Sequence, residues 1–205
     1  MSSVVALDRL LDARRVWRGQ AVSSPSASNL ATGHAPLDAV LPGGGWPVAA
    51  LSEILTAAAG IGELQLLWPT IARLTASGER VVLVSPPHLP YPQAWLKAGV
   101  ELGHLSIIQA KGRDALWAAE QCLRSGSCGA VLCWLRQADD RSLRRLQVAA
   151  GTGQTLAFAY RPLEESMSPS PAALRLVVES QPAQIRVLKC RGGLAPAHPI
   201  AASWH

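Results

Sequence analysis

The sequence predicts an α/β fold with a mostly parallel sheet flanked by helices and a final antiparallel strand pair. Apolar, β-branched runs such as Arg80–Ser85 and Ala130–Leu135 alternate with segments of helical periodicity such as Arg113–Ser125. This alternation is typical of parallel strands joined by helical crossovers. Near the C-terminus, two β-like runs, Leu174–Glu179 and Gln184–Lys189, are separated by a short turn. With 205 residues and 49% hydrophobic content, the chain suits one such domain.

The predicted elements follow one another in a regular order. Apolar residues between positions 37 and 41 predict a short helix that Pro42 ends. A strand over Ala49–Leu55 follows, and from Glu63 a helical period runs to about position 77, with a kink expected at Pro69. The later elements are strand 80–85, helix 92–98, strand 105–109, helix 113–125, strand 130–135, a helix from 140 to about 150, strand 155–160, a loop over 162–172 and the final strand pair.

Both ends of the chain are predicted to lie outside the core. Apolar and charged residues alternate at helical spacing between Val4 and Arg18, which predicts an N-terminal helix. This helix either covers its own core or docks on a partner with Trp17 as the anchor. Trp204 in the tail is a second candidate for partner binding. The predicted divisions are helix 1–19, linker 20–32, core 33–193 and flexible tail 194–205.

Charge and cysteine content narrow the function classes. The net charge of +5 permits contact with nucleic acid or an acidic protein patch but requires neither. The cysteines lack CxxC spacing and a nearby His, so we expect buried, reduced thiols with no metal and no cofactor. No apolar stretch approaches the about 20 residues that span a bilayer, and no leader-like segment is present, which predicts a cytoplasmic protein. The four are Cys122, Cys128, Cys133 and Cys190.

The stretch Leu51–Leu67 has the layout of a phosphate loop, namely a strand, a glycine-bearing turn and the start of a helix. Gly60 and Gly62 would let backbone N–H groups converge on an anion. A phosphate loop also needs a Lys and a Ser or Thr, but Glu63 and Leu64 follow the glycines instead. A carboxylate at the mouth of this turn repels phosphate. The sequence therefore predicts a degenerate phosphate loop.

The ends of the other predicted strands lack catalytic carboxylates. Chemistry in parallel α/β folds collects at the carboxyl ends of strands. The second strand ends in Ser85-Pro86-Pro87-His88, and the fourth ends in Cys133-Trp134-Leu135. His88 is the polar candidate here, but no Asp or Glu lies near enough in sequence to orient it as a general base.

Two basic features are candidates for binding. Arg141, Arg144 and Arg145 lie close together on the helix that Asp139-Asp140 can cap, which makes them a DNA-binding candidate. The alternative is a solvated helix face, the commoner outcome for arginines without interleaved aromatics. Near the C-terminus, Lys189 and Arg191 lie beside an unpatterned tail and are candidates for partner binding.

The order of these features resembles a known protein group. The run from Thr32 to Leu55, with TG, LD, a glycine-rich turn and SEIL, is similar to the entry of the RecA recombinase core. The segment ALRLVVES…IRVLKCRGG is similar to that core's last strand pair. Over about residues 4–193 the chain resembles the ImuA family, the RecA-like proteins of translesion DNA synthesis that share their central part with the division inhibitor SulA. SPAALRL (170–176) and LKCRGG (188–193) carry the distinction from SulA.

The resemblance implies a non-catalytic, RecA-like accessory protein of SOS-induced translesion synthesis. Glu63-Leu64 occupy the Lys-Thr site of the phosphate loop, Pro87 replaces the water-activating Glu and Trp134 replaces the magnesium-holding Asp. The implied partners are an ImuB-type Y-family polymerase homologue and an error-prone replicative polymerase. RecA, DNA and a second copy of the chain are further implied partners, with nucleoid association on DNA damage.

Other implications of the resemblance remain open. Of the two DNA-contacting loops, the first, within 135–144, is too short, and the second, 162–172, carries Glu164 and Glu165. One alternative function is a SulA-like division inhibitor that binds the tubulin-like division protein. Another is an atypical RecA-like ATPase.

Overall fold

The computed structural model describes residues 29–135 and 138–202. The predicted N-terminal helix, Trp17 and Trp204 lie outside these residues. The described strands are β1 Leu51–Thr56, β2 Val81–Val84, β3 Leu105–Ile108, β4 Ala130–Trp134, β5 Leu156–Pro162, β6 Leu174–Ser180, β7 Ala183–Cys190 and β8 Ile200–Ala201. The described helices are α1 Ala35–Asp38, α2 Trp68–Ala76, α3 Pro92–Lys97, α4 Arg113–Arg124 and α5 Asp140–Gly153, with short 3₁₀ turns at Leu102–His104 and Leu163–Met167.

The described strands form one sheet in the order β3-β2-β4-β5-β1-β6-β7-β8. Strands β1 to β6 run parallel to one another, whereas β7 is antiparallel to both β6 and β8. The predicted α/β class, its mostly parallel sheet and the C-terminal antiparallel pair are therefore confirmed. Residues 200–201, which the sequence places in a flexible tail, form the short strand β8 and extend the sheet beyond position 193.

Helices cover both faces of the sheet, as the near-continuous apolar strands require. On one face, Ile54 and Phe158 pack with Trp46 and with Ile71 of α2, and the Trp46 and Phe158 rings meet edge to face at 5.0 Å. On the other face, Leu51 packs with residues of α4 and α5. The central strand β1 is thus buried on both sides, between β5 and β6.

The helix after β1 begins later than the periodicity predicts. Residues 62–67 form turns, and α2 starts only at Trp68. Pro69 therefore lies in the first turn of α2, where its missing N–H would have no intrahelical partner, so the predicted kink inside this helix is wrong. As a consequence, no α-helical N-terminus lies at the glycine turn.

Three sequence expectations concern the cysteines, metal ligands and membrane-spanning helices. The four cysteines are free, three of them buried and Cys122 partly exposed. Within 29–135 and 138–202, no cluster of His, Cys, Asp or Glu is arranged to hold a metal ion. In the same ranges, no helix is both long and apolar enough to cross a bilayer.

Candidate functional site

The glycine turn after β1 binds its own carboxylate. Glu63 is only 3% exposed. Its Oε1 accepts the Gly60 N–H at 2.8 Å, and its Oε2 accepts the Ile61 N–H at 2.9 Å. Gly60 and Gly62 have φ of +83° and +105°, a conformation that glycine adopts without strain. The turn thus directs two consecutive N–H groups at an anion, and the anion is Glu63.

The position of the Glu63 carboxylate differs from the one that the sequence predicts. The sequence predicts a carboxylate at the mouth of the turn that repels phosphate. In the structure, the Glu63 carboxylate lies inside the turn and uses two of the donors that a phosphate would need. Leu64, the other residue of the degenerate loop, is partly buried against the core and offers no polar group.

An aromatic stack lies behind this loop. Trp134 at the end of β4 stacks on Tyr160 of β5, with ring centroids 4.6 Å apart and planes 7° from parallel. The Tyr160 O–H donates to the Glu63 carbonyl oxygen at 3.4 Å. Burial, and then the negative charge of Glu63, raises the pKa of Tyr160 well above its usual range. Trp134 therefore contributes an apolar ring where the resemblance places a magnesium-holding Asp, while Pro87 and His88 are exposed beyond β2.

A buried ion cluster joins the three central strands, and the sequence analysis did not find it. Glu53 of β1 is fully buried, and Arg161 of β5 and Arg175 of β6 are nearly so. Arg161 Nη1 lies 2.9 Å from Glu53 Oε1, and Arg175 Nε lies 2.5 Å from Glu53 Oε2. Glu165 adds a second carboxylate, 3.1 Å from Arg161 Nη2. We refer to these four residues as the buried ion cluster.

Strand register explains why the cluster forms. Glu53 pairs directly with Arg175 across the parallel β1–β6 ladder. Glu53 is opposite Ala159 on β5, so Arg161, two residues further along, points to the same face of the sheet. The available signal was a charged residue among the mostly apolar residues of each of the three strands, since such residues are rarely buried without a partner.

An open cleft of about 520 Å³ lies beside this cluster. It separates the start of α5 from the segment that follows β5. Arg161 Nε and Asp140 Oδ1 are both buried atoms without a hydrogen-bond partner among the described residues. The lining residues are Ala138, Asp139, Asp140, Arg161, Glu165, Ser168 and Pro169. We refer to this feature as the strand-end cleft.

Two of the three arginines in the DNA-binding candidate are engaged in ion pairs. Arg144 Nε lies 2.6 Å from Asp140 Oδ2, and Arg145 is paired with Glu120 of the neighbouring helix α4. Arg141 is exposed on the same helix. The predicted cap is confirmed, because the Asp139 carboxylate accepts the Ser142 N–H at 2.8 Å. The surface of α5 is consequently a mixture of both charges.

The basic residues near the C-terminus contact the chain itself. Lys189 Nζ donates to the Ser170 carbonyl oxygen at 2.8 Å, and Arg191 Nη2 lies 3.5 Å from the Pro171 carbonyl oxygen. Partial burial, followed by the charges of Arg191 and Arg175, lowers the pKa of Lys189. These side chains tie the end of β7 to the segment that enters β6.

Two similarities to known proteins concern the division inhibitor SulA. The chain is 32% identical over 108 residues to "Cell division inhibitor SulA" of Edwardsiella piscicida, which covers 51% of this chain and 64% of that protein. Half of the chain is thus similar to SulA. The chain spans less than two thirds of the length of this relative. A solved structure, that of SulA from Pseudomonas aeruginosa, matches at 28% identity with a TM-score of 0.47, covering 56% of this chain and 98% of that one. No protein family model matches the chain.

Proposed function

We propose that this chain is a SulA-related, non-catalytic protein of the DNA-damage response that acts by binding other proteins. The observation that carries the proposal is the Glu63 carboxylate, which occupies the backbone donors of the glycine turn. Catalysis of phosphoryl transfer depends on positioning and charge stabilisation. Here the loop presents a negative charge and a backbone already hydrogen-bonded, with the Trp134–Tyr160 stack behind it.

Nucleotide binding tests the non-catalytic part of this proposal. A fluorescent ATP analogue with Mg²⁺ is titrated into the wild-type protein, where we expect no saturable binding and no turnover. In the variant Glu63→Gly the two N–H groups at Gly60 and Ile61 lose their carboxylate, so we expect weak binding of inorganic phosphate to appear. Glu79→Gly, an exposed glutamate before β2, is the matched control and should remain inactive. Tight magnesium-dependent binding of ATP to the wild type would overturn the proposal.

The first candidate action is inhibition of cell division, supported by the similarity to SulA over half of the chain. The proposed partner is the tubulin-like division protein. Expression of the chain in its host should produce filamentous cells, and the two purified proteins should form a complex. Normal division together with no detectable complex would eliminate this action.

The second candidate action is the accessory role in translesion synthesis that the ImuA resemblance implies. A specific observation favours it, because the segments that carry the resemblance form one structural unit on the central strand. Arg175 from SPAALRL pairs with Glu53 from SEIL, and Lys189 from LKCRGG donates to the Ser170 carbonyl oxygen. The RecA-like description of the core, with β1 and its glycine turn between the parallel strands β5 and β6, is part of this candidate.

Capture from DNA-damaged cells separates the two candidates. Under the second, the tagged full-length chain retains an ImuB-type Y-family polymerase homologue and an error-prone replicative polymerase, with RecA or DNA as further partners. Substituting Lys189→Ala together with Arg191→Ala should weaken this capture, whereas Lys97→Ala together with Lys111→Ala serves as the charge-matched control. Retention of the division protein alone would leave only the first candidate.

A further inference from the structure

Two residues that line the strand-end cleft each carry a buried polar atom without a hydrogen-bond partner in the described part of the chain. Arg161 is 4% exposed and lines the cleft, and its Nε–H has no acceptor among the described residues. Its other nitrogens are engaged, since Nη1 donates to Glu53 and Nη2 donates to the Ala138 carbonyl oxygen at 2.8 Å. Asp140 also lines the cleft, and its Oδ1 is a solvent-shielded atom without a donor within 29–135 and 138–202, although the side chain as a whole is 43% exposed. A buried polar group without a partner is costly, so both groups favour a ligand that supplies the missing bonds.

The two unfilled groups are of opposite type. Arg161 Nε needs a hydrogen-bond acceptor, whereas Asp140 Oδ1 needs a donor. A peptide unit supplies both, because its carbonyl oxygen accepts and its N–H donates. The cleft is open to solvent, and its volume of about 520 Å³ is large enough for a short stretch of polypeptide with one side chain.

The charges around the cleft determine which polypeptide fits. Among the described residues that line it, Asp139, Asp140 and Glu165 supply three carboxylates, against one guanidinium, that of Arg161. Arg161 is already paired with Glu53 and Glu165, and Arg144 is paired with the outer oxygen of Asp140. An anionic ligand such as a phosphate backbone meets a net negative lining, whereas a cationic side chain gains charge-assisted hydrogen bonds there.

We propose that the strand-end cleft binds a lysine- or arginine-bearing segment of a partner protein. The backbone of that segment accepts from Arg161 Nε and donates to Asp140 Oδ1, and its cationic side chain lies against the Asp139 and Glu165 carboxylates. This inference rests on the proposal that the chain acts by binding proteins. It concerns residues that are separate from the Glu63 loop, so the two can fail independently.

The inference is tested by titrating N-acetyl-arginine amide into the ¹⁵N-labelled full chain and recording its NMR spectra. This compound carries two amide groups and a guanidinium. We expect it to shift the Arg161 Nε–Hε resonance saturably. Ser168→Trp places a large ring in the cleft, and Asp140→Asn removes a carboxylate without changing side-chain size, so each should weaken binding by about tenfold or more. Ser127→Trp, at an exposed serine just before β4 and so at the opposite end of the strands from the cleft, is the matched control and should bind like the wild type.

Three further titrations define the opposing outcomes. N-acetyl-glutamate amide has the same backbone with the opposite charge and should not bind. Inorganic phosphate and a short oligothymidylate represent nucleic acid and should leave the Arg161 resonance unchanged. Three outcomes would each overturn the inference. The protein could bind either anion in preference to N-acetyl-arginine amide, the Ser168→Trp and Asp140→Asn variants could bind N-acetyl-arginine amide as tightly as the wild type does, or no probe could give a saturable shift. Glu63→Gly should titrate like the wild type, and this result separates the cleft from the nucleotide test.

Discussion

Replacement of Glu53 by glutamine should destabilise the protein strongly. Glu53→Gln keeps the shape of the side chain but removes the negative charge between Arg161 and Arg175. Both ion-pair distances, 2.9 Å and 2.5 Å, fall within a fully buried site. The two guanidinium groups would then remain in the core with a neutral amide where the carboxylate had been. We expect a loss of about 3–5 kcal/mol in the free energy of unfolding, the cost typical of removing one partner of a buried ion pair.

The expected loss in the free energy of unfolding follows from the burial of the ion pairs and not from their distances. Glu179 and Arg186 form a pair at a similar distance, 2.7 Å, but their side chains are 27% and 48% exposed. Glu179→Gln should therefore cost at most about 1 kcal/mol. For a chain of this length, each kcal/mol lowers the melting temperature by about 2–4 °C, so Glu53→Gln should melt about 6–20 °C below the wild type.

Thermal unfolding and urea titration of the wild type and both variants measure this difference. The urea slope should be unchanged if only stability is altered. A Glu53→Gln variant that unfolds within about 1 kcal/mol of Glu179→Gln would refute the reasoning, because the buried ion cluster would then contribute no more than a surface pair.

Two further predictions concern other parts of the fold. Gly153→Ala should destabilise by about 1–3 kcal/mol in urea unfolding, because an added Cβ would lie 1.8 Å from the Leu123 carbonyl oxygen. Gly151→Ala should instead stabilise α5 by about 0.5–1 kcal/mol, because its Cβ would lie at an ordinary contact distance, 3.7 Å from the Ala49 carbonyl oxygen. A reversal of that order would contradict the packing argument. Maleimide labelling of Cys128, which is 8% exposed, should have a rate that rises through a pH of about 6, because a hydrogen bond from the Cys122 side chain lowers the pKa of this thiol to about 6. Labelling that rises only near pH 9, or that persists at the same rate in Cys128→Ser, would refute this assignment.

Local pattern was sufficient to predict most of the elements. Helical and strand periods lie within ten or so residues of sequence, so the strands at 81–84, 105–108 and 130–134 and the helix at 113–124 lie close to their predicted positions. The helix after β1 was misplaced because its apolar period continues backwards through turns that are not helical. Pro69 was the available signal, since proline favours the first turn of a helix over its interior.

The candidate site depends on contacts that are distant in sequence. Glu53 and Arg175 are 122 positions apart, and only the strand order brings them together. A sequence reading of charge gave Arg144 and Arg145 as a basic surface. The partner of Arg145 depends on how α5 packs beside α4, whereas Arg144 pairs within α5 with Asp140, four residues before it. The sequence predicts that the negative charge of Glu63 opposes phosphate binding. It does not predict that the carboxylate accepts hydrogen bonds from the turn, because it does not specify which way the side chain points.

The Glu63 loop has a consequence for how the protein could be controlled. An anion tethered two or three residues from its amides has an effective concentration on the order of millimolar or above. Free phosphate would have to be present above that concentration, and to overcome the repulsion by the Glu63 carboxylate, before it could displace this carboxylate from the turn. Under the function proposed above, the conformation of this loop is independent of the energy state of the cell. Control would then act on the amount of the protein and on the availability of its partners.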